Sequence, residues 1–336
     1  MSGESCISLF ESEGFDLPVL KEIAAVASVM MPIGENWTVS RCRYSPEGET
    51  KGRLCIATGI HGDERMGQLV VYEVAQRIMR EPEHLKGVVD MYPMLNPIGL
   101  DVGQRMVPTS TMLDMNRVFP GNPDGTALES ICYAVLEDMK GADLVLDIHT
   151  SSQITSELYG VRLHERDADV MIPGAAALCP KVMWVLPDKP GHNASLTGAL
   201  TMAGTHAVVL MVDERRLRVQ MVMDEVVGGI FCKMKEMGIW TGTAKAPAER
   251  ENVPCMWEEK DICRVTCRHP GVYVPRELNG TVVSQGDVLG TIINALDGEP
   301  VETVVAPESG LVFTERRYSA VYPGTLIARL CRKERA

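Results

Sequence analysis

His61 and Glu64 stand three residues apart in "GIHGDE", where the apolar run "RLCIATGI" gives way to polar residues. His149 closes a second apolar run, in "LVLDIHTSS". Two imidazoles and one carboxylate are the donor set of a catalytic zinc site, in which a fourth position stays open for water. Asp147 precedes His149 by two residues and so shares its side of a strand, where it can orient a ligand or a neighbouring group. Each residue alone reads equally well as a satisfied polar group. Together, at the C-terminal ends of strands where open α/β sheets build their sites, they point to one divalent metal per chain, zinc. His84, His164, His192, His206 and His269 lack comparable settings.

A second constellation lies in "NPIGLDVGQRMVPTSTMLDMNRVFPG", from Asn96 to Gly121, which follows an apolar run and has almost no apolar periodicity. A loop this long in a compact domain is usually functional. It can bring Arg105, Asn116 and Arg117 to the same sheet edge. There a guanidinium forks onto a carboxylate or meets a developing oxyanion. The competing reading makes them surface arginines matched with Asp101 or Asp114.

The elements that position these residues follow from the apolar pattern. "RLCIATGI", "GVVDMYPML", "ADLVLDIH", "KVMWVLP" and "HAVVLMV" read as buried strands. Between them "MGQLVVYEVAQRIM", "ALESICYAVLEDM", "SLTGALTMAG" and "VQMVMDEVVGGIFCKMKEMG" read as helices; in the first, Met66, Val70, Val74 and Ile78 share one face. The expected fold is α/β, a mixed and largely parallel sheet with helices on both faces. "LPVLKEIAAVASVMM", ahead of this alternation, reads as an amphipathic helix without chemistry.

After the polar segment "WTGTAKAPAEREN" the chain turns to short strands punctuated by "NG", "QGD", "LDGEP" and "ESG". This divides it into a domain at 1–245, including an N-terminal extension, and a small β-sandwich or barrel at 255–336. The rhythm of the second part is that of lipoyl and biotinyl carrier domains, but "ALDGEP" offers no lysine to modify, so a carrier role is rejected.

The chain has 336 residues, 45% of them apolar, enough for a large core. Its net charge of −12 disfavours nucleic acid and anionic membranes as partners. No stretch reaches the roughly 20 apolar residues that span a bilayer. The expectation is a cytoplasmic protein acting on a small molecule, with the oligomeric state left open, a homo-oligomer included. The ten cysteines are scattered without an export signal and read as buried thiols, Cys263 and Cys267 included.

"GIHGDE", "DMNRVFPG" and "DIHT", in this order and spacing, resemble the succinylglutamate desuccinylase/aspartoacylase family of the zinc carboxypeptidase superfamily. The resemblance implies a carboxypeptidase-like fold with a small C-terminal β-domain. It also implies zinc on His61, Glu64 and His149, Arg105 polarising the scissile carbonyl, and Asn116 with Arg117 gripping a substrate carboxylate. The reaction implied is hydrolysis of the amide of a small N-acylated, carboxylate-bearing amino acid or amine. One position departs: the family's catalytic glutamate on a late strand corresponds to Met211 in "VVLMVDERRLRV", and a thioether accepts no proton. Asp213 shares strand parity with Met211, whereas Glu214 has the longer reach, and both read equally as solvated charges facing Arg215, Arg216 and Arg218. The alternative function is a metal- and anion-binding protein that has lost hydrolysis.

Overall fold

Val, Ile and Leu crowd both faces of the expected strands, and a strand apolar on both faces must lie between two layers. The computed structural model describes residues 19–32, 34–108, 112–151, 154–213, 219–245 and 255–332. Its first ten strands are β1 (Val19–Met30), β2 (Asn36–Pro46), β3 (Arg53–Thr58), β4 (Val88–Tyr92), β5 (Leu144–Thr150), β6 (Thr155–Glu157), β7 (Gly160–His164), β8 (Val182–Leu186), β9 (Ala207–Val212) and β10 (Cys255–Glu258). All but β6 join one sheet in the order β1-β2-β4-β3-β5-β9-β7-β8-β10. The centre β4-β3-β5-β9 is parallel, β7 runs against β9, and β8 and β10 follow β7.

The helices are α1 (Met66–Arg80), α2 (Pro97–Val102), α3 (Ala127–Met139), α4 (Ala168–Ala175), α5 (Pro190–Asn193), α6 (Leu196–Met202) and α7 (Val219–Glu236). Strand alternation sorts the core into two halves. Leu54, Ile56, Leu146, Ile148 and Leu210 face α1 and α7, meeting Val70, Val74, Val226 and Ile230. Cys55, Ala57, Val145 and Ala207 face α3 and α6, meeting Ile131, Val135, Leu196 and Leu200. Asp147, His149, Val209 and Met211 have the parity of Val145 and Ala207, so the candidate site falls on the α3/α6 face.

The N-terminal segment is not the expected helix. Val19–Met30 is a strand, paired antiparallel with β2 from Val19↔Pro46 to Met30↔Asn36, with a register shift between Ala25 and Ala27. Its apolar residues fit a helical stripe as well as a strand, and pairing decided: β2 offers a long edge carrying buried Trp37, Val39 and Tyr44. The polar segment expected as a linker lies partly outside the described residues, at 246–254.

Beyond it come β11 (Ile262–Thr266), β12 (Gly271–Pro275), β13 (Val282–Val283), β14 (Val288–Ile293), β15 (Pro300–Val305), β16 (Gly310–Arg316), β17 (Ser319–Val321) and β18 (Leu326–Cys331). They form two antiparallel sheets, β11-β18-β16-β13 and β15-β14-β12-β17, around Tyr273, Leu289, Ile292, Val312 and Ile327. Strand pairing and aromatic packing help to hold them to the large domain. β6 pairs with β16, and Trp184 and Trp257 pack on Phe313, with ring centroids 6.1 and 5.5 Å away. The β-sheets thereby cover the β7-β8-β10 side of the large sheet.

Candidate active site

β3 ends at Thr58, and Gly59 turns the chain with φ +69°, a conformation that costs glycine least. The turn carries His61 and Glu64 over the strand end towards His149, near the end of neighbouring β5. One donor atom from each of the three lies within 4.8 Å of the others, and all three side chains are buried. His61 Nδ1 donates to Glu64 Oε1 at 2.8 Å, and His149 Nδ1 to Glu64 Oε2 at 2.9 Å, with the Thr150 N–H also on Oε2. The far nitrogens are engaged too. His61 Nε2 meets Asp114 Oδ1 at 3.1 Å and His149 Nε2 meets Asp147 Oδ2 at 3.0 Å.

Each imidazole is thus bracketed by two carboxylates, a setting a singly protonated neutral ring cannot satisfy. Either the ring carries both protons or a cation takes the place of one of them. Burial disfavours a charged His149, but Asp147 and Glu64 overcome it and raise its pKa to about 10. Burial likewise works against ionised Glu64, yet His149 and His61 hold it well below the usual carboxylate range. Burial is outweighed again at Asp114, which His61 and Arg105 bring down to about 2. The residues fit a divalent metal: a His–Glu–His donor set, each imidazole oriented from behind by an aspartate.

The long loop supplies the next groups. Asn96 caps α2 by accepting from the Gly99 N–H at 2.9 Å, and Gly103, left-handed at φ +65°, ends the helix two residues before Arg105. Gly62 allows this loop its close approach: it donates to the Gln104 carbonyl, and a Cβ on it would lie 2.0 Å from the Gly99 carbonyl carbon. Arg105 reaches Glu64 Oε1 at 2.7 Å, at the edge of the cluster. Asp114 accepts from the Asn116 N–H with the same oxygen that faces His61. Asn116 is wedged between His149 Nε2 (3.4 Å) and the Leu196 N–H, whose bond its Oδ1 accepts at 2.9 Å. Arg117 donates to the Asn116 carbonyl and forms no ion pair among the described residues. The surface pairing with Asp101 or Asp114 is not what these arginines adopt. His61, Glu64, Arg105, Arg117, His149 and Met211 line one cavity of about 800 Å³, a volume suited to a small molecule.

Residues 50–210, which include all these side chains, match the Succinylglutamate desuccinylase/Aspartoacylase catalytic domain. This stretch, just under half of the chain, is similar to that family's catalytic domain. The N-alpha-acetyl-L-2,4-diaminobutyric acid deacetylase of Halomonas elongata is 25% identical over 93% of this chain and 89% of its own. A succinylglutamate desuccinylase/aspartoacylase structure from Rhodobacter sphaeroides superposes with a TM-score of 0.78 over 98% of this chain and 99% of that one, at 20% identity. The product-bound ectoine utilization protein of Ruegeria pomeroyi gives 0.78 over 93% and 94%, at 19% identity. These two likenesses show the fold.

Against the pattern of the desuccinylase/aspartoacylase family, Met211 lies beside His149 in register on β9 and lines the cavity. Of the two acids considered near it, Glu214 lies outside the described residues. Asp213 is buried and already bonded: Ser151 Oγ reaches it at 3.3 Å, Ser156 Oγ at 3.1 Å and Arg317 at 3.5 Å. Asp213 ties the end of β9 to β6 and to the C-terminal sheets.

Sequence reasoning missed two parts of the site. Asp114 orients His61; the sequence showed it only at the head of "DMNRVFPG" and as a possible partner of the loop arginines. The other is basic: Arg162 on β7 and Arg329 on β18 lie over Trp184, and Arg264 on β11 lines the same cavity. These residues are far apart in sequence and no local motif joins them.

Proposed function

We propose that the protein is a zinc-dependent deacylase that hydrolyses the amide of a small N-acylated, carboxylate-bearing amino acid or amine. The observation that carries this reading is the doubly bracketed His61–Glu64–His149 cluster, in one cavity with Arg105 and Arg117. The names of the relatives, a desuccinylase and a diaminobutyrate deacetylase, support the substrate class.

A bound zinc, one per chain, would supply a Lewis acid for the amide carbonyl and bring the pKa of water towards ~7. His61, Glu64 and His149 would hold it while Asp114 and Asp147 keep both rings turned. Arg105, next to the cluster, meets the oxyanion that develops on the carbonyl oxygen. Arg117 takes the substrate carboxylate, and Asn116, pinned to Leu196, sets the loop that presents it. Proton transfer to the leaving nitrogen falls to Glu214 first. Asp213 comes second, because its carboxylate is taken up by Ser151, Ser156 and Arg317. We assign the catalytic part to 1–245 and the small β part to 255–336, and place the enzyme in the cytoplasm, with no nucleic-acid or membrane partner and as a monomer or homo-oligomer.

Zinc-loaded protein should release free amine from members of a panel of N-acyl amino acids, and chelation should stop it. Met211 favours a second reading, a metal- and anion-binding protein without hydrolysis. Stoichiometric zinc with no turnover of any panel member would establish that second reading.

A further inference from the structure

The two small sheets differ in where they carry charge. β11, β16 and β18, in the sheet turned towards the large domain, hold Arg264, Glu315, Arg316 and Arg329. The strands of the other sheet, β15-β14-β12-β17, hold a single charged residue, Glu302. It stands opposite Ile292, on the side that forms the core. Its carboxylate is engaged at the sheet's end, accepting from the Arg268 and His269 N–H groups and facing the His269 ring.

Strand register fixes what the opposite face presents. Partners across an antiparallel pair project to the same side, so Tyr273↔Ile292 points into the core while the neighbouring pairs Val272↔Ile293 and Val274↔Thr291 point out. The outward rows continue onto β15 with Thr291↔Thr303 and Val288↔Val305, and onto β17 with Val272↔Ala320. All these side chains are uncharged, and all but the two threonines are apolar. A sheet with one wet face alternates apolar with polar; apolar residues on both sides are the pattern of strands covered on both. Yet among the described residues no element packs on this side, and Val274 and Val305 are 40% and 43% exposed. Where β12 begins, the face is extended by Tyr322, two residues past Ala320 and 73% exposed, and by Leu296 in the β14–β15 turn, 97% exposed. The face points away from the large domain, because the sheet β11-β18-β16-β13 lies between them.

We propose that this face packs on the same face of a second copy of the chain, sheet on sheet, about a twofold axis. Charge decides the occupant. Two copies that each carry a net charge of −12 repel, and they meet at least cost where neither presents a charge. A charged partner would find nothing on this face to pair with. Two like sheets of β-branched side chains interdigitate at a spacing of about 10 Å. Size sets the strength. Four strands about 4.8 Å apart and about five residues long present roughly 320 Å² in plan, which Tyr322 and Leu296 widen at one end. That is less than the roughly 800 Å² per partner of a standard stable interface, so the dimer is a weak, exchanging one with a micromolar Kd. The active-site cavity lies beyond the intervening sheet and stays open.

The test is the oligomeric state of the full chain, which no readout of turnover enters. Sedimentation equilibrium from low micromolar to several hundred micromolar protein should show a reversible monomer–dimer equilibrium. Raising sodium chloride from low to physiological levels should strengthen it, because salt screens the repulsion and there is no ion pair across the face to lose. Val274→Lys and Val274→Glu, both at an exposed position, should each weaken association by about 10-fold or more while circular dichroism confirms an intact fold. Mixing the two variants should recover a dimer of mixed composition. Ile23→Lys, on the exposed edge strand β1, is the control and should leave the equilibrium unmoved. A chain that stays monomeric at the highest concentration overturns the proposal, as does a dimer that the folded Val274 variants leave intact or that salt weakens. No recovery in the mixture overturns the face-to-face arrangement, and a loss confined to Ile23→Lys overturns it in favour of the β1 edge.

Discussion

The imidazoles of His61 and His149 lie 5.0 Å apart and tilted by 51°, and one carboxylate, Glu64, faces Nδ1 of both. This relationship sets which nitrogens are available. Nε2 of each ring is committed to an aspartate, so a metal that binds here must do so through the Nδ1 side, in exchange for protons.

Metal binding should therefore be proton-coupled. Zinc titrated into chelated protein at pH 7 should bind one per chain and expel at least one proton, measured by calorimetry in two buffers of different ionisation enthalpy. His149→Ala should lose the bound metal. Asp114→Asn and Asp147→Asn should keep the stoichiometry but weaken affinity by about 10- to 100-fold, the usual scale for groups that orient a ligand. Equal metal content in wild type and His149→Ala would remove His149 from the site.

The two loop arginines should separate by kinetics. Arg105 lies on Glu64, whereas Arg117 forms no ion pair among the described residues and donates to the Asn116 carbonyl. Arg105→Ala should lower kcat by about 10²-fold or more, the scale of a lost oxyanion donor, and Arg117→Ala should chiefly raise KM. The opposite split would exchange their roles.

A histidine away from the metal cluster gives a pH signature of the fold. His164 is buried with Nε2 on Thr197 Oγ1 at 2.9 Å, and burial, helped by His192, pushes its pKa down to about 4. Unfolded, the ring takes a proton near pH 6.5; folded, it stays neutral down to about 4. The unfolded state therefore binds more protons between those values, and stability falls as pH drops through that window, by on the order of 2 kcal/mol. Urea unfolding at pH 7 and pH 4.5 should show a smaller acid loss for His164→Gln than for wild type. An identical loss in the two proteins would count against the buried neutral ring.

What could be read from the sequence follows from how local each signal is. The central strands were legible because "RLCIATGI" and "LVLDIH" are apolar on both faces, and that run also marks the strand ends that carry His61 and His149. Val19–Met30 was misread because its spacing suits both periods and its partner β2 decides between them. Asp114 and the Arg162–Arg329 wall were invisible for a different reason. Asp114 acts from the long loop, and the wall exists only where β7, β11 and β18, remote from one another in sequence, come together.

The last expectation concerns the proton. Even with a metal to activate water, the tetrahedral adduct of an amide must protonate its leaving nitrogen, so an acid has to stand near the cluster. Met211, beside His149 on the neighbouring strand, cannot serve. Asp213, two residues on, has its oxygens on Ser151, Ser156 and Arg317, which makes it a tie between β9 and the C-terminal sheets. Glu214 is then the acid of choice, and Glu214→Gln should retain metal while amide hydrolysis falls by about 10²-fold or more. Asp213→Asn should act mainly on stability and cost less activity. Adding Met211→Glu to Glu214→Gln should restore part of the lost rate, because the new carboxylate would occupy the strand position next to the metal ligand. Full activity in Glu214→Gln alongside a loss confined to Asp213→Asn would transfer the role to Asp213. No rescue by Met211→Glu, with metal still bound, would show that the β9 position does not face the reacting nitrogen.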